Sequence, residues 1–262
     1  MECSKLDRRY VEKPWGRTQL PPMFGRDAAA AGERVGEVWF TGGKDLPLLA
    51  KYLFTSEALS VQVHPNDAQA RQQGGERGKA ECWYIIDAEP GAAIGLGFKR
   101  RVSAEQVREA VAEGSVEQLL DFRPVRKGDF IVVAPGTVHA IGAGIALLEF
   151  QQNSDLTYRL YDYGRPRDLH LDQALAVASL EPFAEPVRQA RGGHTDVLAD
   201  GPAFTVAVGP GDTLADRRRW ILPLNGAVRC GDVIAKAGEC LLAAPGARIE
   251  ADDAQLLIGA EA

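Results

Sequence analysis

The sequence has no uninterrupted apolar run approaching the roughly 18–20 residues that a membrane-crossing helix needs. Its first residues, MECSKLDRRYVEK, have no apolar core of a secretion signal, so a cytoplasmic location is expected and no membrane partner. A basic excess is missing as well. The 30 Lys and Arg against 36 Asp and Glu give a formal charge of -6, which offers nucleic acid no general attraction. An anionic substrate would therefore need a local basic pocket. The four cysteines, Cys3, Cys82, Cys230 and Cys240, form no Cys-x-x-Cys pair. That speaks against a thiolate zinc knuckle or a redox motif, and the expectation is reduced, mostly buried thiols. Gly95-Leu96-Gly97-Phe98 opens no helix of the kind a nucleotide-binding loop demands.

What is present has the make-up of an ordinary globular protein: 262 residues, 45% hydrophobic and 25% charged. Short apolar and β-branched runs, cut by Gly, Pro, Asn and Asp, predict strands near 36–40, 59–64, 81–86, 129–134, 145–151 and 156–161. This is the pattern of a β-sandwich or barrel. Ser103 and Gln106 form a capping box ahead of Val107 and Val111 at helical spacing; Ser115 and Gln118 repeat the box and predict a second short helix through Leu119 and Leu120. A third helix is expected from about Asp172 to Ser179. Pro182, Pro186 and Gly192-Gly193 read as a linker, with further strands at 204–208, 219–223, 227–230, 239–243 and 255–258. The expected division is a catalytic domain over 1–183 with helical inserts, then a linker and a smaller β domain over 184–262.

Strand side chains alternate, so in Val61-Gln62-Val63-His64-Pro65 the side chains of Gln62 and His64 share one face. Pro65 ends that strand, with Asn66 or Asp67 placed to cap a helical turn. Lys79, Glu81 and Trp83 form a second alternating set, and burying a charged pair there is costly unless a metal or substrate matches it. The Pro135-Gly136 turn delivers His139 to the start of a new strand. Gln62, His64, Glu81 and His139 together offer two imidazoles, one carboxylate and one amide oxygen, a set that suits a borderline divalent ion such as zinc. Lys99-Arg100-Arg101 and Arg217-Arg218-Arg219 read as solvated surface, and His170 and His194, without a partner motif, as surface or linker residues.

Four strings carry a resemblance to a known family: Leu59-Ser60-Val61-Gln62-Val63-His64-Pro65, Lys79-Ala80-Glu81-Cys82-Trp83-Tyr84, Ala134-Pro135-Gly136-Thr137-Val138-His139-Ala140-Ile141 and Gln152-Asn153-Ser154-Asp155-Leu156-Thr157-Tyr158-Arg159. In sequence, order and spacing they resemble the signature segments of type I mannose-6-phosphate isomerases of the short bacterial form. The resemblance implies an all-β fold with a double-stranded β-helix (cupin or jelly-roll) core, a few short helices and a smaller C-terminal jelly-roll. It implies one zinc ion per chain on Gln62, His64, Glu81 and His139, with Arg159 and Lys79 as catalytic residues and Ser60 near the phosphate. The expected partner is a small sugar phosphate, and the expected reaction is interconversion of mannose 6-phosphate and fructose 6-phosphate through an enediol. Monomer and homodimer both remain open. Gly78 stands where larger members carry a histidine before the lysine, and their long helical insertion is missing. Two alternatives compete: an iron-dependent cupin oxygenase, which metal analysis with an oxygen-uptake assay would separate, and a sugar-binding cupin without turnover.

Overall fold

The computed structural model describes residues 2–25, 32–42, 46–190, 194–251 and 253–262; the expected Gly192-Gly193 break lies outside them. The chain is built mostly of antiparallel strands and divides into two compact units. One comprises 54–147 with 151–187, the other 1–53 with 148–150 and 188–262.

In the first unit a five-stranded sheet runs in the order Tyr158–Tyr161, Val61–Val63, His139–Ile141, Ala93–Phe98, Leu120–Pro124. One of its faces is apolar for the reason alternation gives: Val61, Val63, Val138, Ala140 and Leu160 are buried there. Val107 and Ala110 of the helix Ala104–Ala112 and Ala174 and Val177 of the helix Leu171–Val177 cover them. The other face carries polar Gln62, His139 and Arg159 beside buried apolar Leu96 and Ile141. A second antiparallel pair in this unit, Glu81–Ala88 with Asp129–Val133, supplies the opposing wall.

Local signals account for most of this unit. Ser103 and Gln106 cap Ala104–Ala112 reciprocally, and Asn66 with Gln69 does the same for Asp67–Gln72. The second expected box fails. The Ser115 hydroxyl donates back to the Ala110 carbonyl, so Val116–Leu119 is only a 3-10 turn and Leu120 begins a strand. Gly136, at φ +87, makes the turn before His139, and its N–H donates to the His64 carbonyl at 2.8 Å.

In the second unit a six-stranded antiparallel sheet has the order Cys3–Lys5, Leu241–Ala243, Arg219–Pro223, Leu256–Glu261, Phe204–Gly209, Asp196–Asp200. Its core is built from such residues as Ile221, Val228, Leu241, Leu256 and Ile258. A separate antiparallel set joins Asp7–Arg17, Val35–Thr41 and Leu48–Phe54. Trp15 is buried.

Two expectations are corrected in this unit. Cys3 and Cys230 form a disulfide, while Cys82 and Cys240 remain free and buried. Arg219 is not surface: it is fully buried, with its guanidinium donating to the carbonyls of Gly211 and Ala247 at 2.6 Å each and of Thr213 at 3.4 Å. Arg219 opens Arg219–Pro223, a strand buried at every position, while Arg218 just before it stays outside.

Candidate metal centre

His64, Glu81 and His139 converge although they come from three separate stretches. One ligand atom from each lies within 4.8 Å of the others, and all three residues are buried. The orientation of the imidazoles is set from outside the cluster. His64 Nδ1 lies 2.9 Å from the Leu156 carbonyl and His139 Nδ1 lies 2.9 Å from the Thr137 carbonyl. A carbonyl only accepts, so each Nδ1 carries the proton and each Nε2 turns a lone pair inward. Those inward atoms meet the carboxylate of Glu81, with His64 Nε2 at 3.5 Å from Oε2 and His139 Nε2 at 3.3 Å from Oε1.

Electrostatics favour the same protonation states. Burial, then the nearby Lys79 ammonium, lowers the His64 pKa to about 3, against the opposing pull of Glu81. Burial also lowers that of His139. For Glu81 burial acts upward, but Lys79, then the two histidines, outweigh it and hold the carboxyl well below its usual range. At neutral pH the cluster therefore offers two neutral imidazoles and one carboxylate, which fits a divalent cation by donor chemistry.

Sheet register adds the next residues. Gln62 is directly opposite both His139 and Arg159 on its two neighbouring strands, so the three side chains form one row on one face. The Gln62 amide has its nitrogen 3.3 Å from His139 Nε2 and its oxygen accepting from the Ser60 hydroxyl at 3.3 Å. Ligation through oxygen requires a half-turn of that amide, which exchanges two groups of nearly equal size. Lys79 Nζ is buried beside the cluster, 2.6 Å from Glu81 Oε2 and 3.0 Å from His64 Nε2. A cation on those two atoms competes with it directly.

Lys79 is held by its approach. Its N–H donates to the Pro65 carbonyl at 3.0 Å, and the preceding Gly78 N–H donates to Asp67 Oδ1 at 2.8 Å. A Cβ at Gly78 would stand 2.5 Å from the Pro65 oxygen and the Asn66 carbonyl carbon, which explains why no histidine occupies this position.

The seven expected site residues thus lie in one unit, with Lys79, Gln62 and Ser60 bonded directly into or beside the cluster and Arg159 on its row. The guanidinium of Arg159 donates to the Asp168 carbonyl at 3.4 Å. The expectation for His170 is corrected: it is half-buried and bonded to the backbone of Arg159. Its signal is a pairing across a loop, which strand periodicity does not carry. His194 and Lys99-Arg100-Arg101 are exposed, as expected.

A family model for the phosphomannose isomerase type I catalytic domain matches residues 18–96. A mannose-6-phosphate isomerase of Streptococcus mutans serotype c is 45% identical, the match covering 77% of this chain and 76% of that protein. A probable mannose-6-phosphate isomerase of Bacillus subtilis is 35% identical, the match covering 67% of this chain and 68% of that protein. Among solved structures, a mannose 6-phosphate isomerase from Bacillus subtilis matches with a TM-score of 0.82 at 27% identity over 99% of both chains. A zinc-bound mannose 6-phosphate isomerase matches over 100% of both chains with a TM-score of 0.74 at 15% identity, a likeness of fold. The all-β cupin architecture expected from the sequence is the one found.

Proposed function

The chain belongs to the mannose-6-phosphate isomerase family, and we propose a division of roles among its residues for the family's reaction. The protein is a metal-dependent aldose–ketose isomerase that interconverts mannose 6-phosphate and fructose 6-phosphate through an enediol. His64, Glu81 and His139, joined by the Gln62 amide oxygen, would hold one zinc ion per chain. Bound there, a divalent cation supplies a Lewis acid for the oxygens on C1 and C2 of the sugar. Catalysis is assigned to the 1–183 segment and a supporting role to 184–262.

The reaction removes a proton from C2 and returns one to C1, with a second proton exchanged between the two oxygens. Lys79, fixed between Glu81 and His64, is assigned the acid/base role. It is assigned to take the proton from C2 and return one at C1. Arg159, permanently charged and with one long bond to the Asp168 carbonyl, is assigned to the oxygen on which negative charge develops. Ser60 is assigned to the phosphate end. That assignment follows the family resemblance; its hydroxyl donates to the Gln62 amide oxygen at 3.3 Å, beside the metal ligands.

The observation that carries this reading is the pair of carbonyl-fixed histidines whose Nε2 atoms meet one buried carboxylate, with a guanidinium on the same sheet row. It is tested by chelation. Stripped protein should lose isomerisation of mannose 6-phosphate, and added zinc should restore it with one ion per chain by mass spectrometry. Undiminished turnover in metal-free protein would end the proposal. We place the enzyme in the cytoplasm, in keeping with the absence, among the described residues, of a helix long and apolar enough to cross a membrane.

A further inference from the structure

Arg159 sits at the neck of a loop that leaves the strand Tyr158–Tyr161 and returns at His170, the residue preceding the helix Leu171–Val177. The two neck residues are bonded to each other twice. The His170 N–H donates to the Arg159 carbonyl at 2.7 Å, and the Arg159 N–H donates to His170 Nδ1 at 3.3 Å. The second bond makes Nδ1 an acceptor and puts the ring proton on Nε2.

Three further contacts fix this neck. The His170 ring lies edge-on to Tyr158, centroids 6.3 Å apart, and the Tyr158 hydroxyl bonds to Gln73. The Arg159 guanidinium donates to the carbonyl of Asp168, two residues before His170. The His170 carbonyl accepts from Ala174 N–H at 2.8 Å, which ties the neck to the helix. Inside the loop, buried Asp162 accepts from both Arg165 and Arg167, so the loop is braced between its ends. Both bonds to the main chain of Arg159 on this side thus end on one residue, and the carbonyl that receives its guanidinium is two residues away.

We propose that His170 is a positioning residue for Arg159, acting through Nδ1 as a side-chain acceptor that replaces a neighbouring strand. This rests on the assignment of Arg159 to the reaction. The sequence offers little at this position, because a histidine next to a helix start has many uses. The physical requirement is specific, however. At the edge of the five-stranded sheet, the strand carrying Arg159 has a paired neighbour on one side only, Val61–Val63. The N–H on the other side needs a partner to keep the strand in register with Gln62. A shift of about 1 Å in a substrate-orienting group is enough to cost on the order of a hundredfold in rate.

Two substitutions separate the acceptor from the ring. His170→Phe keeps an aromatic edge against Tyr158 and removes the acceptor; His170→Asn removes the ring and leaves an amide oxygen near the place of Nδ1. His170→Phe is expected to lower kcat for mannose 6-phosphate about 10- to 100-fold with metal content unchanged. His170→Asn is expected to recover most of the loss. Combined with Arg159→Ala, His170→Phe should cost nothing further, since both act through one group. Hydrogen exchange at the Arg159 amide should quicken in the Phe variant and stay slow in the Asn variant, whatever the activity.

Near-normal kcat or unchanged amide exchange in His170→Phe overturns the inference, as does the same fold loss in the Arg159→Ala background. Normal turnover by Arg159→Ala alone defeats the underlying assignment of Arg159, and that result is recognisable without any His170 variant.

Discussion

Glu81 in one unit and Arg219 in the other are both withdrawn from solvent inside antiparallel β structure, yet they are matched in different ways. Arg219 spends its two terminal nitrogens on the carbonyls of Gly211, Thr213 and Ala247, all of them fixed backbone. Glu81 faces two imidazole lone pairs and an ammonium, all on side chains that a cation can draw together or displace. A buried charge satisfied by backbone is a fastener, whereas one surrounded by oriented ligand atoms is a site. The lesson is that burial and charge alone do not mark function. The kind of partner does.

The comparison is broken most sharply by removing each charge in turn. Glu81→Gln should release the metal and lower turnover by on the order of a thousandfold, because several kcal/mol of transition-state stabilisation go with the cation. Metal analysis and an isomerase assay on folded protein check it. Arg219→Ala should leave kcat and metal content unchanged but lower stability by about 3–5 kcal/mol, since it opens a cavity and strands three carbonyls. Denaturant unfolding gives that number. A stable Arg219→Ala protein, or an active Glu81→Gln protein, would erase the distinction.

The two units were also unequally legible. In the unit with the site, the decisive information is local: a two-residue period puts Gln62 beside His64, and Asn66 and Ser103 cap the helices they precede. Even there, the row linking His139, Gln62 and Arg159 depends on register between strands far apart in sequence. The other unit hides more. Asp7–Arg17 is a strand of charged residues, readable only through its pairing with Val35–Thr41. Lys51 interrupts the apolar run of Leu48–Phe54, yet it is buried and ion-paired with Glu149 at 3.4 Å, a partner 98 residues away. Arg219 is masked by its arginine neighbours, and irregular cysteine spacing says nothing about pairing.

A smaller effect tests whether the second unit, which holds 188–262 together with 1–53, stands outside the chemistry. The Cys3–Cys230 bond joins residues 227 positions apart, and a native crosslink contributes typically about 2–4 kcal/mol by restricting the unfolded chain. Cys3→Ser should therefore melt earlier than the parent under oxidising conditions and together with it in excess reductant, with kcat the same throughout. A change in kcat would tie this unit to the chemistry and blur the contrast.

The smallest effect is a slope. In metal-free protein His64 has its pKa lowered from 6.5 to about 3, chiefly by burial, so between those values the unfolded chain binds a proton that the folded chain refuses. Stability rises with pH wherever the unfolded state holds more protons, so acidification through this window removes it: about 1.4 kcal/mol by pH 5.5, and more below. His139, shifted the same way, adds to the trend. Thermal melts of stripped protein from pH 7.5 to 5 should show the decline, and His64→Gln should flatten part of it. Arg219 remains charged throughout this range, so Arg219→Ala should lower the whole curve without altering its slope. Parallel loss of slope in both variants would mean that the acid response belongs to neither buried charge.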